Sequence, residues 1–329
     1  MRVLVFGAGA IGSVLGGFLA EAGHDVTLLG RPWHLEVIRR EGLRITGLWG
    51  DHHLPAGACL WQAGRHRLST AASVEELPAA TAFDWILLCV KAHQTAEAAN
   101  SLPRALGPQT LLCACQNGLG NYETLIRTVD PDRVALGRVI FGVELSPGAA
   151  RVTVCADDMV LGAPARGFPR ERLSALAEAL RFSGIPCRTT ESIWPVLWAK
   201  VLYNCALNGL STVLEVPYGA LLAQPGASRL MPVILEEAYR VAAAHEVRLE
   251  PASASAYLER LRATLIPATA SHLPSMLQDL RRGKPTEIEA MNGAIVRLAG
   301  QVNLPAPANA LVTRLVHAKE QFTGVGQVC

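Results

Sequence analysis

The chain opens with short, uninterrupted apolar runs separated by segments of helical periodicity. Arg2–Phe6 reads as a strand rich in Val and Leu. Ile11, Leu15, Phe18, Leu19 and Ala22 then recur at helical spacing, and Gly23 follows as a C-terminal glycine. Asp25–Leu29 reads as a second strand and Trp33–Glu41 as a second helix. Trp85–Val90, Thr110–Ala114 and Val134–Ile140 repeat the apolar pattern. Strands that are apolar throughout are buried on both faces. Their alternation with helices predicts an α/β, doubly wound parallel sheet of the Rossmann type.

Beyond about residue 190 the texture changes. β-type runs vanish, and Leu230, Val233, Ile234, Ala238, Val241 and Ala244 form one stripe of a long helix across 230–247. Pro195 suits a first helical turn. Ala256–Leu265, Ile288–Ala299 and Ala308–Glu320 are also read as helices. The pattern predicts a dinucleotide-binding domain over 1–189 and an all-helical second domain over 190–329.

Composition narrows the class. Of 329 residues, half are hydrophobic and 18% are charged, a globular composition with material for two domains. A formal net charge of +2 points to neither nucleic acid nor a membrane surface as partner. Glycine follows only four apolar residues at the N-terminus, which is no secretory signal, so a cytoplasmic protein is expected. The eight cysteines form no Cys-x-x-Cys pair and are read as reduced thiols, mostly buried. His52-His53 is read as a solvated loop, with no metal expected.

Candidate chemistry begins at Gly7-Ala8-Gly9-Ala10-Ile11-Gly12, which follows a strand and opens a helix. Gly7 permits the tight turn, Gly9 lets the backbone approach a pyrophosphate, and Gly12 lets the helix pack on the strand. The first-turn N–H groups of the helix face the phosphates. At the end of the second strand stands Leu28-Leu29-Gly30-Arg31, with no carboxylate to bind the ribose hydroxyl of NAD. Arg31 can pair with the 2′-phosphate of NADPH through its planar fork, or it is an ordinary surface arginine.

Lys200, Asn204 and Asn208 stand at i, i+4 and i+8, so each is turned only about 40° from the last. An ammonium and two amides thus share one stripe of a largely apolar helix. Either solvent or a ligand satisfies that stripe.

These pieces together resemble the ketopantoate reductase (2-dehydropantoate 2-reductase) family, within the wider 6-phosphogluconate-dehydrogenase-like group. The resemblance spans nearly the whole chain. It rests on the glycine turn with Arg31, on Cys89-Val90-Lys91-Ala92, on Gln116-Asn117-Gly118, on Lys200 with Asn204 and Asn208, and on Ser275–Asp279 followed by Thr286-Glu287-Ile288. It implies NADPH as cofactor and a small 2-keto acid as substrate, with ketopantoate reduced to D-pantoate. It also implies Lys200 as the proton donor to the ketone oxygen, an ammonium that stabilises the developing alkoxide.

By the same resemblance, Asn204 and Asn208 hold the substrate's polar ends and Ser275 binds its carboxylate. Glu287 supports the lysine and the cofactor, while Asn117 and Lys91 lie beside the cofactor, Asn117 also touching substrate. Two of these residues have local alternatives. Lys91 can be a surface lysine. Thr286-x-x-Glu289 fits a capping box, in which Glu289 reaches back and leaves Glu287 for the site.

The sequence departs from the family where an asparagine usually follows a proline. Here the turn reads Pro217-Tyr218-Gly219, and Tyr218 offers a hydroxyl in place of an amide. Phe141–Leu145 also lacks the small and hydroxyl residues usual there, and Glu144 would fall near the cofactor. These changes bear on the substrate and leave open a sister reductase of another 2-keto acid, such as 2-ketoisovalerate. A reading of a different class is a silent NADPH-binding sensor, against which the intact Lys200, Asn204, Asn208 and Glu287 set argues. A homodimer through the helical part is compatible with the sequence.

Overall fold

The computed structural model describes residues 1–56, 68–77 and 82–325. Two compact units divide the chain, Met1–Gln116 with Asn121–Ile193, and Asn117–Gly120 with Trp194–Cys329. The short loop Asn117–Gly120 therefore belongs with the helical unit.

In the first unit the strands are Arg2–Phe6 (β1), Asp25–Leu29 (β2), Leu43–Gly47 (β3), His52–Leu54 (β4), Leu68–Ala71 (β5) and Trp85–Leu88 (β6). Leu111–Ala114 (β7), Val134–Arg138 (β8), Phe141–Ser146 (β9), Ala149–Cys155 (β10), Met159–Gly162 (β11) and Cys187–Thr189 (β12) follow. Its helices are Ala10–Glu21 (α1), Pro32–Glu41 (α2), Thr95–Ser101 (α3), Asn121–Leu125 (α4) and Arg170–Phe182 (α5).

The main sheet runs β12-β11-β8-β7-β6-β1-β2-β5. Its centre is parallel, with Val5 in register between Leu28 of β2 and Leu87 of β6. These central strands are buried almost throughout, as their unbroken apolar runs require. The expected doubly wound parallel sheet is present, with one reversed edge. β11 pairs antiparallel with β8 and carries β12 parallel to itself, so that edge runs opposite to the centre.

A second sheet, β4-β3-β10-β9, was not anticipated. Its strands are short and only half apolar. β3 buries Leu43 and Ile45 while exposing Arg44, and β10 buries Ala150 and Val152 on alternate positions. His52 and His53 stand on β4 rather than in a loop, and His52 Nδ1 lies 2.6 Å from Glu21 Oε2. His34, fully buried, ties this sheet to the helices. The Gly148 N–H donates to His34 Nδ1 at 3.1 Å, so Nε2 carries the proton and donates to the Ser13 hydroxyl at 2.9 Å. Burial pushes the His34 pKa down and keeps the ring neutral.

The second unit is helical. It holds Ile193–Leu214 (α6), Tyr218–Ala223 (α7), Pro225–Ala244 (α8), Ala254–Arg260 (α9), Ile266–Ala268 (α10), Ser275–Arg281 (α11), Asn292–Gln301 (α12) and Pro307–Phe322 (α13). A π-helical turn at Leu261–Leu265 splits the helix expected over Ala256–Leu265. At its core is a polar knot. Asn292 Nδ2 donates to Cys205 O and to Asn309 Oδ1, and Asn309 Nδ2 donates to Ile234 O and to Glu237 Oε2. Among the described residues no helix is long and apolar enough to cross a membrane. Six cysteines there are free, with Cys113, Cys115, Cys187 and Cys205 buried. Cys59 and Cys329 lie outside the described residues.

Candidate active site

The glycine turn hangs on β2. Gly7 and Ala8 both donate backbone N–H to Leu29 O, at 2.9 and 2.7 Å, and Gly7 takes φ +108°, which only glycine adopts freely. A Cβ on Gly12 would stand 2.2 Å from Gly7 O, so the helix could not start so close to the turn with any side chain there. Gly9 differs, because a Cβ there would meet no protein atom within 4 Å. Packing does not demand glycine at that position, whereas the approach of a ligand to the backbone would.

Gly9 is also the N-cap of α1, and no side chain caps the helix or places an acid in its first turn. The first N–H groups, those of Ala10 and Ile11 among them, are available to a phosphate. Arg31 is exposed two residues past β2 and, among the described residues, its side chain makes no hydrogen bond or ion pair. This set of residues fits a dinucleotide with an extra phosphate.

Lys91 stands just past β6, half-buried, as the N-cap of the turn Ala92–Gln94. It is close in chain to the glycine turn's neighbour, since a Cβ on Gly7 would lie 2.7 Å from Val90 N. A buried network unseen in the sequence fixes this corner. Gln116 Nε2 donates to Val90 O at 3.0 Å and to the Thr95 hydroxyl at 2.7 Å, and that hydroxyl lies 2.8 Å from Asn121 Oδ1.

The helical unit brings three of the expected site residues together. Lys200 Nζ donates to Asn117 Oδ1 at 2.6 Å, and Asn117 Nδ2 donates to Glu287 Oε2 at 3.5 Å. One amide thus joins an ammonium on α6 to a carboxylate on the turn before α12. Lys200 and Asn117 are half-buried, and Glu287 is only 4% exposed. Asn117 is held by its own loop. The Leu119 N–H donates to Ala290 O at 2.9 Å, and Gly118 takes φ +84° with its α-carbon so close that a Cβ would stand 2.2 Å from Ala290 O. The Asn117–Gly120 loop and the Glu287 turn therefore dock as one piece.

Along α6 the polar stripe diverges in its fate. Asn204 is buried, and among the described residues its side chain makes no hydrogen bond. Asn208 is engaged at both ends, accepting from the Tyr218 hydroxyl at Oδ1 and donating to Met291 Sδ at 3.4 Å. Tyr218 is 3% exposed and packs against Tyr203 and His272 with ring centroids 5.7 and 5.3 Å away. Burial pushes the Tyr218 hydroxyl well up and the His272 ring down, so both are neutral. Ser275 is the exposed first residue of α11. Glu144 is exposed on β9 opposite Arg151 of β10.

The expected capping box is not formed. Glu289 turns outward, 2.7 Å from Arg297 Nη1 and 2.8 Å from His317 Nε2. The carboxylate that caps this turn is Glu320, which accepts from the Thr286 N–H at 2.7 Å. A local motif lost here to a residue from another helix, and nothing in the sequence marks that partner.

A doubly wound sheet with a glycine-rich phosphate turn, joined to a helical unit bearing a lysine–amide–carboxylate set, defines a nicotinamide-dependent oxidoreductase. The chain belongs to the ketopantoate reductase family. The model of ketopantoate reductase PanE/ApbA matches residues 3–166, and that of its C-terminal part matches residues 192–320. The 2-dehydropantoate 2-reductase of Aquifex aeolicus is 36% identical over 98% of both chains. That of Pyrococcus horikoshii is 31% identical over 98% of this chain and 99% of its own. The crystal structure of a PanE/ApbA family ketopantoate reductase from Ralstonia eutropha superposes with a TM-score of 0.84 at 32% identity, covering 98% of this chain and 99% of that one.

Proposed function

We propose that this chain reduces 2-dehydropantoate to D-pantoate with NADPH. The observation that carries the reading is the Lys200–Asn117–Glu287 set, in a chain of this family. NADPH, when bound at the glycine turn, would supply the hydride for the ketone carbon. Lys200 donates a hydrogen bond to the ketone oxygen and gives up its proton as the alkoxide forms. Asn117 holds the ammonium in place through its Oδ1 and is itself oriented by Glu287. Asn204, buried and with its amide available, binds a polar end of the substrate. Ser275 receives the carboxylate. Lys91 lies by the cofactor. The lysine regains its proton from solvent after product leaves. With its described cysteines free, the protein suits a reducing cytoplasm.

The phosphate role of Arg31 predicts a selective effect. Arg31→Ala should weaken NADPH binding about tenfold or more, the worth of a charged hydrogen bond, and leave NADH binding nearly unchanged. Titrating both cofactors by fluorescence checks this, and equal losses would reject the role.

A second reading follows from Tyr218. With Asn208 bonded to the phenol and to Met291, the far end of the polar row is closed by an aromatic group. This favours a 2-keto acid without a terminal hydroxyl, such as 2-ketoisovalerate. A panel of 2-keto acids assayed by NADPH oxidation decides between the two. We expect the highest kcat/KM with 2-dehydropantoate, and a higher value with 2-ketoisovalerate would move the substrate.

A further inference from the structure

The turn that carries Glu287 is held on both sides by one helix. Glu320 of α13 accepts the Thr286 N–H at Oε1, 2.7 Å away. Its other oxygen lies 2.8 Å from His317 Nδ1, and His317 Nε2 lies 2.8 Å from Glu289 Oε1. Glu289 Oε2 accepts from Arg297 of α12 at 2.7 Å. Thr286, Glu320, His317 and Glu289 thus close a ring around Glu287, the most buried acid of the turn.

The turn needs such support. Ile288–Ala290 is a single 3₁₀ turn, too short to stabilise itself, and Met291 after it departs from helical geometry at φ −114° and ψ −104°. Glu287 meets Asn117 at 3.5 Å, the outer edge of hydrogen bonding, so a small shift of the turn decides whether that contact exists.

We propose that His317 and Glu320 are positioning residues, a clamp that sets Glu287 against Asn117 and so orients Lys200. This rests on the reading of Lys200, Asn117 and Glu287 as the reacting machinery. Neither clamp residue touches the reacting atoms.

The clamp depends on protonation. The charged groups around His317 are Glu289 from the turn, Glu320 from its own helix and, behind Glu289, Arg297 from α12. Both ring nitrogens face carboxylate oxygens, so both must carry protons. Burial lowers the His317 pKa, but the two carboxylates outweigh it and hold it above the usual 6.5. In Glu320 burial raises the pKa, and the Thr286 hydroxyl and amide with His317 outweigh that and hold it low. A raised histidine stabilises the fold fully below its unfolded pKa, and that contribution is lost as pH rises through the folded value. The clamp is therefore closed at lower pH and opens on one side as His317 loses its proton.

The test is a double-mutant cycle on the whole protein, with kcat and KM measured across pH for wild type, H317Q, E320Q, E287Q and H317Q/E287Q. H317Q and E320Q should each lower kcat about tenfold through misplacement, with KM for NADPH within about twofold of wild type. Wild-type kcat should fall as His317 deprotonates, and H317Q should lack that fall. In the E287Q background H317Q should have no further effect. His317→Arg supplies two N–H donors that do not titrate, and should keep kcat and flatten that limb. Equal losses from H317Q with and without Glu287 would overturn the clamp, as would a wild-type pH profile in H317Q. Wild-type kcat in E287Q would instead overturn the role of Glu287, and the clamp with it.

Discussion

Lys200→Ala should lower kcat/KM for the keto acid about a thousandfold, within the range that a positioned proton donor contributes. In the proposed reaction the ammonium serves twice, as donor to the ketone oxygen and as a positive charge beside the forming alkoxide. Alanine removes both functions together with the bond from Lys200 Nζ to Asn117 Oδ1. The loss should fall mainly on kcat, because the interaction strengthens as charge develops on oxygen. NADPH affinity should change little, since Lys200 is not among the residues proposed to hold the cofactor. Lys200 is half-buried, so its truncation leaves little cavity and the melting temperature should stay near that of wild type. Steady-state kinetics on the folded variant check each part, and a loss below about tenfold would place the proton donor elsewhere.

Glu237→Ala should cost about 3 kcal/mol of stability, with effects on activity secondary to that loss. Glu237 is 1% exposed on α8 and caps α13 from outside its own sequence. Its carboxylate accepts from the Ala308 N–H at 2.8 Å, the Asn309 N–H at 3.0 Å and Asn309 Nδ2 at 2.8 Å. These are first-turn donors of α13, where a helix N-terminus favours negative charge. Alanine takes the acceptor from the Ala308 and Asn309 N–H groups and leaves Asn309 Nδ2 with Ile234 O alone. Asn309 also bonds Asn292, so the fault spreads along the polar knot towards α6. Glu237→Gln keeps an acceptor oxygen and should lose about half as much. Urea unfolding measures both, and a cost below about 1 kcal/mol for alanine would mean that water reaches the stranded amides.

The parts of the fold legible in the sequence were those with one strong period. β1, β6 and β7 are buried on both faces, so their apolar runs are unbroken and easily read. β3, β9 and β10 alternate over a few residues and carry Arg44, Glu144 and Arg151 outward, so they resemble loops. The reversal at β11 has no local signature either, because strand direction is set by connections rather than by composition. In the site, helical spacing placed Lys200, Asn204 and Asn208 on one stripe. It did not distinguish Asn204 from Asn208, since the Tyr218 and Met291 contacts come from elsewhere in the chain. The Lys200–Asn117 bond joins residues 83 apart, and Glu320 caps a turn 34 residues before it. Spacing rules see neighbours along one element, and these contacts cross elements.

In the proposed reaction the Lys200 set reduces a keto acid with NADPH as the hydride donor. The most direct measurement supplies purified protein with 2-dehydropantoate and NADPH, then follows NADPH oxidation together with the amount and chirality of the pantoate formed. One D-pantoate should form for each NADPH oxidised, with turnover all but lost in Lys200→Ala. NADPH left unoxidised, or oxidised without pantoate appearing, would contradict it.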